Sequence, residues 1–265
     1  LKVGDKLLGA IYVDNVTRPN RFHQEDLEFL SAFANQAAIA IDNATLQSKL
    51  ADEAVTRNNL MRFFPPTAID SIVQSSDTLG ARETQATALF CDISGYTAMS
   101  STMTPMEVIQ LLNAYFPPMA EIVFRHEGTL EKYIGDALLA VWGAPFAHED
   151  DADRSVRAAV DMQIAMRELT AAKRLPPGLA IHIGVNTGIV AAGNIGSEHY
   201  LQYATIGDAT NVASRICGVA TDGQIVIDSQ TAHNLTAGAF HLTALEPVRV
   251  KGKSEPLSLF RVEWS

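Results

Sequence analysis

Two carboxylates and a few cations are the residues in this sequence best placed to do chemistry. Asp92 follows the apolar run Ala86-Thr87-Ala88-Leu89-Phe90-Cys91, and Asp136 lies between the apolar runs Leu130–Ile134 and Ala137–Trp142. If those runs are neighbouring strands, both carboxylates reach one sheet edge, where they repel unless a cation lies between them. Hard oxygen ligands suit Mg²⁺ or Mn²⁺, ions that usually bind phosphate as well. Alone, Asp136 could be only a turn residue and Asp92 only the cap of the helix after it. Together, each after a buried strand, they point to metal-assisted phosphate chemistry. Asn211 and Arg215 are four apart and share one helix face. An amide and a guanidinium so placed could hold a ribose oxygen and a phosphate, although a solvated face is the simpler account of that pair alone. Asp208, ahead of them, reads as the N-cap of their helix. Lys132 precedes Asp136 by four residues.

The composition excludes several classes. The chain has 265 residues, 47% of them apolar, and a net charge of −10. That length fits one large or two small domains. The acidic balance argues against a nucleic-acid partner, which would call for a basic face. It does not exclude nucleotides, which a few placed cations and metal ions can hold. Cys91 and Cys217 are the only cysteines, too few for a disulfide framework, so a reducing compartment, the cytoplasm, is expected. No apolar run approaches a membrane span. The first residue is not Met and no leader-like stretch follows, so the chain reads as a piece of a longer protein.

The elements that must position these residues can be read in order. Leu7–Asp14 is expected to be a strand, and Asn15–Arg21 a loop. Gln24-Glu25-Asp26 opens a helix with acids at its positive end. Leu27, Leu30, Ala34, Ala37 and Ile41 form its apolar face. The helix runs to about Met61, with Leu46, Leu50 and Leu60 near a heptad seam that Glu53 and Arg57 interrupt. That leaves a weak coiled coil or a single linker helix open. Pro65-Pro66 breaks it, Thr67–Val73 is a helical turn, and Gln74–Gln85 is a loop. Then come the strand to Cys91, a helix from Pro105 that Pro117-Pro118 should kink or restart, and a hairpin around Gly135-Asp136. A long helix from Glu149 follows. Strands over Leu179–Val185 and Ile189–Ala192 flank a turn at Asn186-Thr187-Gly188, and Gln202–Ile206 is a further strand. A helix from Gly207 to Gly218, a strand at Ile225–Ile227 and a closing hairpin, Val248–Lys253 with Leu257–Val262, complete the chain. The order suggests an α+β domain on a mostly antiparallel sheet.

Gly9-Ala10-Ile11-Tyr12-Val13-Asp14, Phe22, Glu25-Asp26 and Phe33 through Ala44 resemble the C-terminal half of a GAF domain. Four further motifs stand in order: Phe90-Cys91-Asp92-Ile93-Ser94-Gly95-Tyr96-Thr97; Lys132-Tyr133-Ile134-Gly135-Asp136; Ile206-Gly207-Asp208 with Asn211-Val212-Ala213-Ser214-Arg215; and Val250-Lys251-Gly252-Lys253. Together they resemble class III adenylyl and guanylyl cyclase catalytic domains over about Thr84 to Val262. The resemblance implies a ferredoxin-like, palm-type fold. It divides the chain into a GAF fragment (1–45), a linker helix and connector (46–83) and a catalytic domain (84–265).

The family implies that Asp92, Asp136 and the Ile93 carbonyl bind two Mg²⁺ or Mn²⁺ per site. The ribose 3′-hydroxyl of ATP then attacks the α-phosphate in line, and pyrophosphate leaves. By resemblance Arg215 stabilises charge on the α-phosphoryl group and Asn211 positions the ribose. Lys251 meets the terminal phosphates, with Lys253 assisting it or simply solvated. Lys132 reads adenine N1. Lys132 and Asp136 would lie roughly 13 Å apart along a strand, too far to serve one nucleotide. That agrees with the family's head-to-tail homodimer, in which each interface site takes its acids from one chain and its cations from the other.

The chain departs from the family at Ala204, seven residues before Asn211, where a second base-reading Asp or Thr is usual. Thr205 is next to it, and reaches the base only if a bulge turns it inward. Lys132 favours ATP, because guanylyl cyclases usually carry Glu there. A guanylyl or dual cyclase, and an inactive nucleotide-binding regulatory module, are the competing readings. The second expects Asp92, Asp136, Asn211 or Arg215 to be lost, and all are present. A palm-type polymerase is disfavoured by the absence of a basic track. His182 reads as a packed or edge histidine, Cys91 as core, and His148-Glu149-Asp150-Asp151 as a helix start rather than a metal cluster. The helix from Gln24 to Met61 could set the angle between two catalytic domains.

Overall fold

The computed structural model describes all residues except 17–21, 75–78, 198–199 and 265. The expected loop over Asn15–Arg21 therefore lies mostly outside the described residues, as does part of the one over Gln74–Gln85. The chain forms two compact units, Leu1–Asn59 and Leu60–Ser265.

The first unit holds a two-stranded ladder, β1 (Lys2–Val3) and β2 (Lys6–Leu7), and the helix α1 (Gln24–Leu60). The strand expected over Leu7–Asp14 stops at Leu7, since among the described residues of this unit Gly9–Val13 has no neighbouring strand to complete a ladder. α1 is continuous for 37 residues, as its periodicity predicts. Its expected apolar face is only partly covered: Leu30, Ala34 and Ala37 are half-buried, while Leu27 and Ile41 are exposed. Lys6 ties the ladder to Asp42 on α1 at 2.8 Å.

The second unit opens with α2 (Pro66–Gln74), which packs onto the sheet instead of serving as a free connector. Phe64, Ala68, Ile69 and Ile72 are buried against Ala86, Ala88, Leu139 and Val141. β3 (Arg82–Ile93) starts earlier than its apolar run, because Arg82 to Gln85 already pair with Ala192 to Ile189. The short α3 (Tyr96–Ser100) precedes α4 (Pro105–Arg125), which opens on a reciprocal Thr104–Glu107 capping box. α4 continues through Pro117 and Pro118 as one helix and does not restart there. Tyr115, Met119, Ile122 and Val123 are buried on its inner side, and Pro117 is exposed. Packing thus outweighs the backbone bonds lost at the two prolines.

β4 (Thr129–Ile134), β5 (Ala137–Trp142), α5 (Asp151–Ala171) and β6 (Ile181–Ser197) complete a βαββαβ core of the ferredoxin-like type. β7 (Tyr200–Ile206), α6 (Asp208–Cys217), β8 (Ile225–Asp228), α7 (Ser229–Asn234), β9 (His241–Ala244) and β10 (Leu259–Glu263) follow. The sheet runs β4-β5-β3-β6-β8-β10-β9, with β7 on the far end of β6. All pairings are antiparallel except β6 with β8. Leu89, Cys91 and Ile93 face α4 and α5 on one side; Ala86 and Ala88 face α2 and α6 on the other. That alternation places Cys91 in the core, as expected, and sends Asp92 to the opposite face.

Two expectations about this half fail. No turn forms at Asn186-Thr187-Gly188; these residues continue β6 opposite Ala88, Thr87 and Ala86. The Asn186 amide donates to the Ala209 carbonyl at 3.0 Å, and Thr187 joins Thr87 and Thr231 by hydroxyl bonds of 2.9 Å. Pairing and buried hydrogen bonds override local turn chemistry. The closing hairpin shrinks to one bridge, Val248 with Leu257, and β10 pairs instead with β8 and β9.

Candidate active site

The β3–β5 pairing runs from Thr87↔Trp142 to Cys91↔Leu138, so Asp92 emerges beside the turn that carries Asp136. Gly135 takes φ +65°, a left-handed conformation that a side chain would strain, and this makes the two-residue turn between Ile134 and Ala137 possible. The hairpin is anchored by the Thr129 hydroxyl on the Ala144 carbonyl at 2.7 Å. It is anchored again by Tyr133, whose ring lies 4.1 Å from that of Phe116 on α4.

The two acids stand close enough to share a proton. Burial, then a hydrogen bond to Asp92, then the charge of Asp92 push the Asp136 carboxyl up to about 7. The Ile93 amide donates to Asp92 Oδ1 at 3.0 Å, and His182 Nε2 lies 3.9 Å from Asp92 Oδ2. His182 Nδ1 meets the Ser94 hydroxyl at 3.0 Å, so it is a packed edge residue with polar partners. Two half-buried carboxylates in this position repel each other when both are ionised. A divalent cation bound by Asp92, Asp136 and the Ile93 carbonyl fits that donor set. His148, Asp150 and Asp151 are used structurally: the His148 amide donates to Asp151 at 2.8 Å, and Arg154 pairs with Asp150 at 2.8 Å.

The cations come from α6 and from the segment between β9 and β10. α6 is pressed onto β6: a Cβ on Gly184 would come within 2.1 Å of the Cys217 amide nitrogen and 2.7 Å of the Ala213 carbonyl. Val212, Ala213 and Ile216 are buried, leaving Asn211 exposed and Arg215 half-buried. The Asn211 amide donates to the Gly207 carbonyl at 3.3 Å. The Arg215 guanidinium lies against Gly252, within 3.4 Å of where a Cβ would stand. Lys251 is exposed in the turn that the Lys253 amide closes on the Val250 carbonyl at 3.2 Å. The structure thus brings Arg215 and Lys251 together.

Asp208 is not the N-cap. Gly207 holds that position with no side-chain cap, and Asp208 is the first helical residue. Its carboxylate pairs with Lys253, whose side chain stays partly exposed to solvent.

Thr205 also departs from expectation. β7 pairs with β6 in unbroken register, Ala192↔Thr205 and Gly193↔Ala204, so no bulge turns Thr205. Its amide donates to Glu131 Oε2 at 2.9 Å and its hydroxyl donates to the same oxygen. The bulge lies elsewhere, between Leu130 and Lys132 in β4. Glu131 is the residue that sequence reasoning missed. The only signal was an acid directly before Lys132, which a regular strand would send to the opposite face.

With this geometry in place, the sequence profile of the adenylate and guanylate cyclase catalytic domain matches residues 80–262. The chain belongs to that family. The GAF domain profile matches residues 1–41 ahead of the cyclase domain. An adenylate cyclase of Anabaena cylindrica is 32% identical over 235 residues, covering 83% of this chain and 46% of the relative. The chain thus spans about half the length of that relative. The crystal structure of the guanylyl cyclase Cya2 superimposes with TM-score 0.66 and 37% identity, covering 69% of this chain and 93% of that one. The adenylyl cyclase CyaB from P. aeruginosa superimposes equally well, at 29% identity, covering 71% and 97%. No helix among the described residues of the cyclase or the GAF segment is long and apolar enough to cross a membrane.

Proposed function

We propose that the chain converts ATP to 3′,5′-cyclic AMP and pyrophosphate, as a homodimer with two interface sites and two Mg²⁺ or Mn²⁺ in each. The observation that carries this reading is the juxtaposition of two acids, Asp92 at the end of β3 and Asp136 in the β4–β5 turn beside it. Bound there, the ions supply a Lewis acid for the 3′-hydroxyl and a clamp for the phosphates. The chain's own groups do the rest. Arg215, set against Gly252, meets the charge that builds on the α-phosphoryl group as the 3′-oxygen bonds to phosphorus and the bridge to pyrophosphate breaks. Lys251 holds the terminal phosphates and Asn211 the ribose. Asp92 and Asp136 come from one chain; Lys132, Asn211, Arg215 and Lys251 come from the other. Free, buried Cys91 and Cys217 are in keeping with a reducing cytoplasm.

Adenine is favoured because Lys132 offers a donor to N1, whereas guanine N1–H and its 2-amino group need an acceptor. Glu131, beside it, is buried and has its oxygens occupied. The likeness to the guanylyl cyclase Cya2 supports the second reading, GTP as substrate. Incubating the purified chain with ATP or GTP and Mn²⁺, and measuring cyclic product and pyrophosphate, separates the two. Absence of product from both would leave a nucleotide-binding module. Activity per chain that held constant on dilution to monomer would sink the shared site.

A further inference from the structure

Glu131 has an unusual setting for a carboxylate. It is 3% exposed, at the bulge of β4, and three donors converge on it. Thr205, itself 6% exposed, donates its amide and hydroxyl to Oε2. Lys132 Nζ stands 3.0 Å from Oε1, and its side chain is 36% exposed. A regular strand would send residues 131 and 132 to opposite faces; the bulge lets adjacent side chains meet. A buried carboxylate is tolerated only when paired and hydrogen-bonded, so this cluster is held in one arrangement. One of its three partners, the ammonium, reaches the surface.

We propose that Glu131 is a positioning and specificity-determining residue for the purine, with Thr205 holding Glu131 in turn. The proposal rests on reading Lys132 as the base-facing donor. An ammonium has three donors and no acceptor. With one directed at Glu131, the flexible stem is fixed and the remaining donors point outward at a purine acceptor. Adenine N1 satisfies them. Guanine N1–H finds no acceptor, because Oε1 is taken by the ammonium and Oε2 by Thr205. The chain therefore does not need a side chain at Ala204 to discriminate. The threonine one residue on acts from beneath, through Glu131, and never touches the base.

The test uses the purified chain with Mn²⁺, ATP and GTP. Glu131→Gln keeps the shape and an oxygen for Thr205 but removes the charge. It should raise the KM for ATP about tenfold, the loss of one charge-assisted contact, with kcat within about twofold. The ATP:GTP ratio of kcat/KM should fall in parallel. Thr205→Val should move both quantities the same way by a smaller factor, and Thr205→Ser should restore them. In a Lys132→Ala background, Glu131→Gln should change neither. A cooperative melting transition confirms that each variant folds, and the Thr205 pair carries the test if Glu131→Gln does not.

Wild-type KM and selectivity in Glu131→Gln, with Lys132→Ala impaired, would overturn the proposal alone. So would an effect of Glu131→Gln undiminished in the Lys132→Ala background, which would mark a purely structural role. If Lys132→Ala itself leaves KM and selectivity unchanged, the reading of Lys132 falls and the proposal falls with it.

Discussion

At the tip of the β4–β5 hairpin, Asp136 faces Asp92, and its carboxyl is pushed up to about 7 by burial and by that neighbour. On the flank of the same hairpin, Lys132 faces Glu131 at 3.0 Å, with Thr205 closing the cluster from below. The tip holds like charges in an arrangement that favours uptake of a cation. The flank holds opposite charges in an arrangement complete without a ligand. On the proposed reading, the metal site is left electrostatically unfinished, whereas the base-selecting site is built rigid in advance.

The sharpest way to break this contrast is to neutralise the tip. Asp92→Asn or Asp136→Asn should lower cyclase activity with ATP and Mn²⁺ by about 10³-fold, the scale expected when preorganised charge stabilisation is lost. A loss below tenfold would mean that the ions are held elsewhere. Next in size is reversal of the flank. Lys132→Glu should move the ATP:GTP ratio of kcat/KM about 10²-fold toward GTP, because a base-reading hydrogen bond is exchanged for its complement. An unchanged ratio would remove Lys132 from the base pocket.

A third experiment reads the tip without activity. The folded Asp136 carboxyl binds its proton more tightly than an unfolded one, whose pKa is near 4. The metal-free protein therefore loses stability as pH rises from about 4 through about 7, where the unfolded state has already released the proton. Asp136→Asn in chelator should melt higher than wild type at pH 8, and by much less at pH 5, where wild-type Asp136 is already protonated. Equal gains at both values would show that ionisation of Asp136 is not what costs the wild type its stability. By the same linkage, metal affinity of the wild type should fall as pH drops below about 7. The smallest effect is expected from a change in the first unit. One residue inserted near Lys49 rotates the rest of α1 by about 100° and should change activity or its regulation severalfold. Indifference would separate α1 from catalysis.

The same contrast explains what could be read from the sequence. The juxtaposition of Asp92 and Asp136 was legible because each ends or interrupts an apolar run, and those runs pair as neighbouring strands. The hairpin was legible from Gly135-Asp136, and α1 from its apolar period. Glu131 was hidden because its role depends on a bulge, and nothing in Leu130-Glu131-Lys132 marks one. Thr205 could be placed on the face away from Ala204 by alternation, but its partner could not be named. Asn186-Thr187-Gly188 carries strong turn chemistry yet lies mid-strand, because β3 supplies twelve paired positions against it. α2 was read as a connector because its burial depends on sheet residues distant in sequence.

The hairpin is stiff, tied by Thr129 to Ala144 and by Tyr133 to Phe116. In the proposed dimer its tip serves one active site and its flank the other. A tilt that closes Lys132 around a base would then also shift Asp136 relative to the ions across the interface. The two turnovers would not be independent. Occupancy of the first site would be felt at the second as a change in metal affinity, giving a velocity curve with a Hill coefficient different from one.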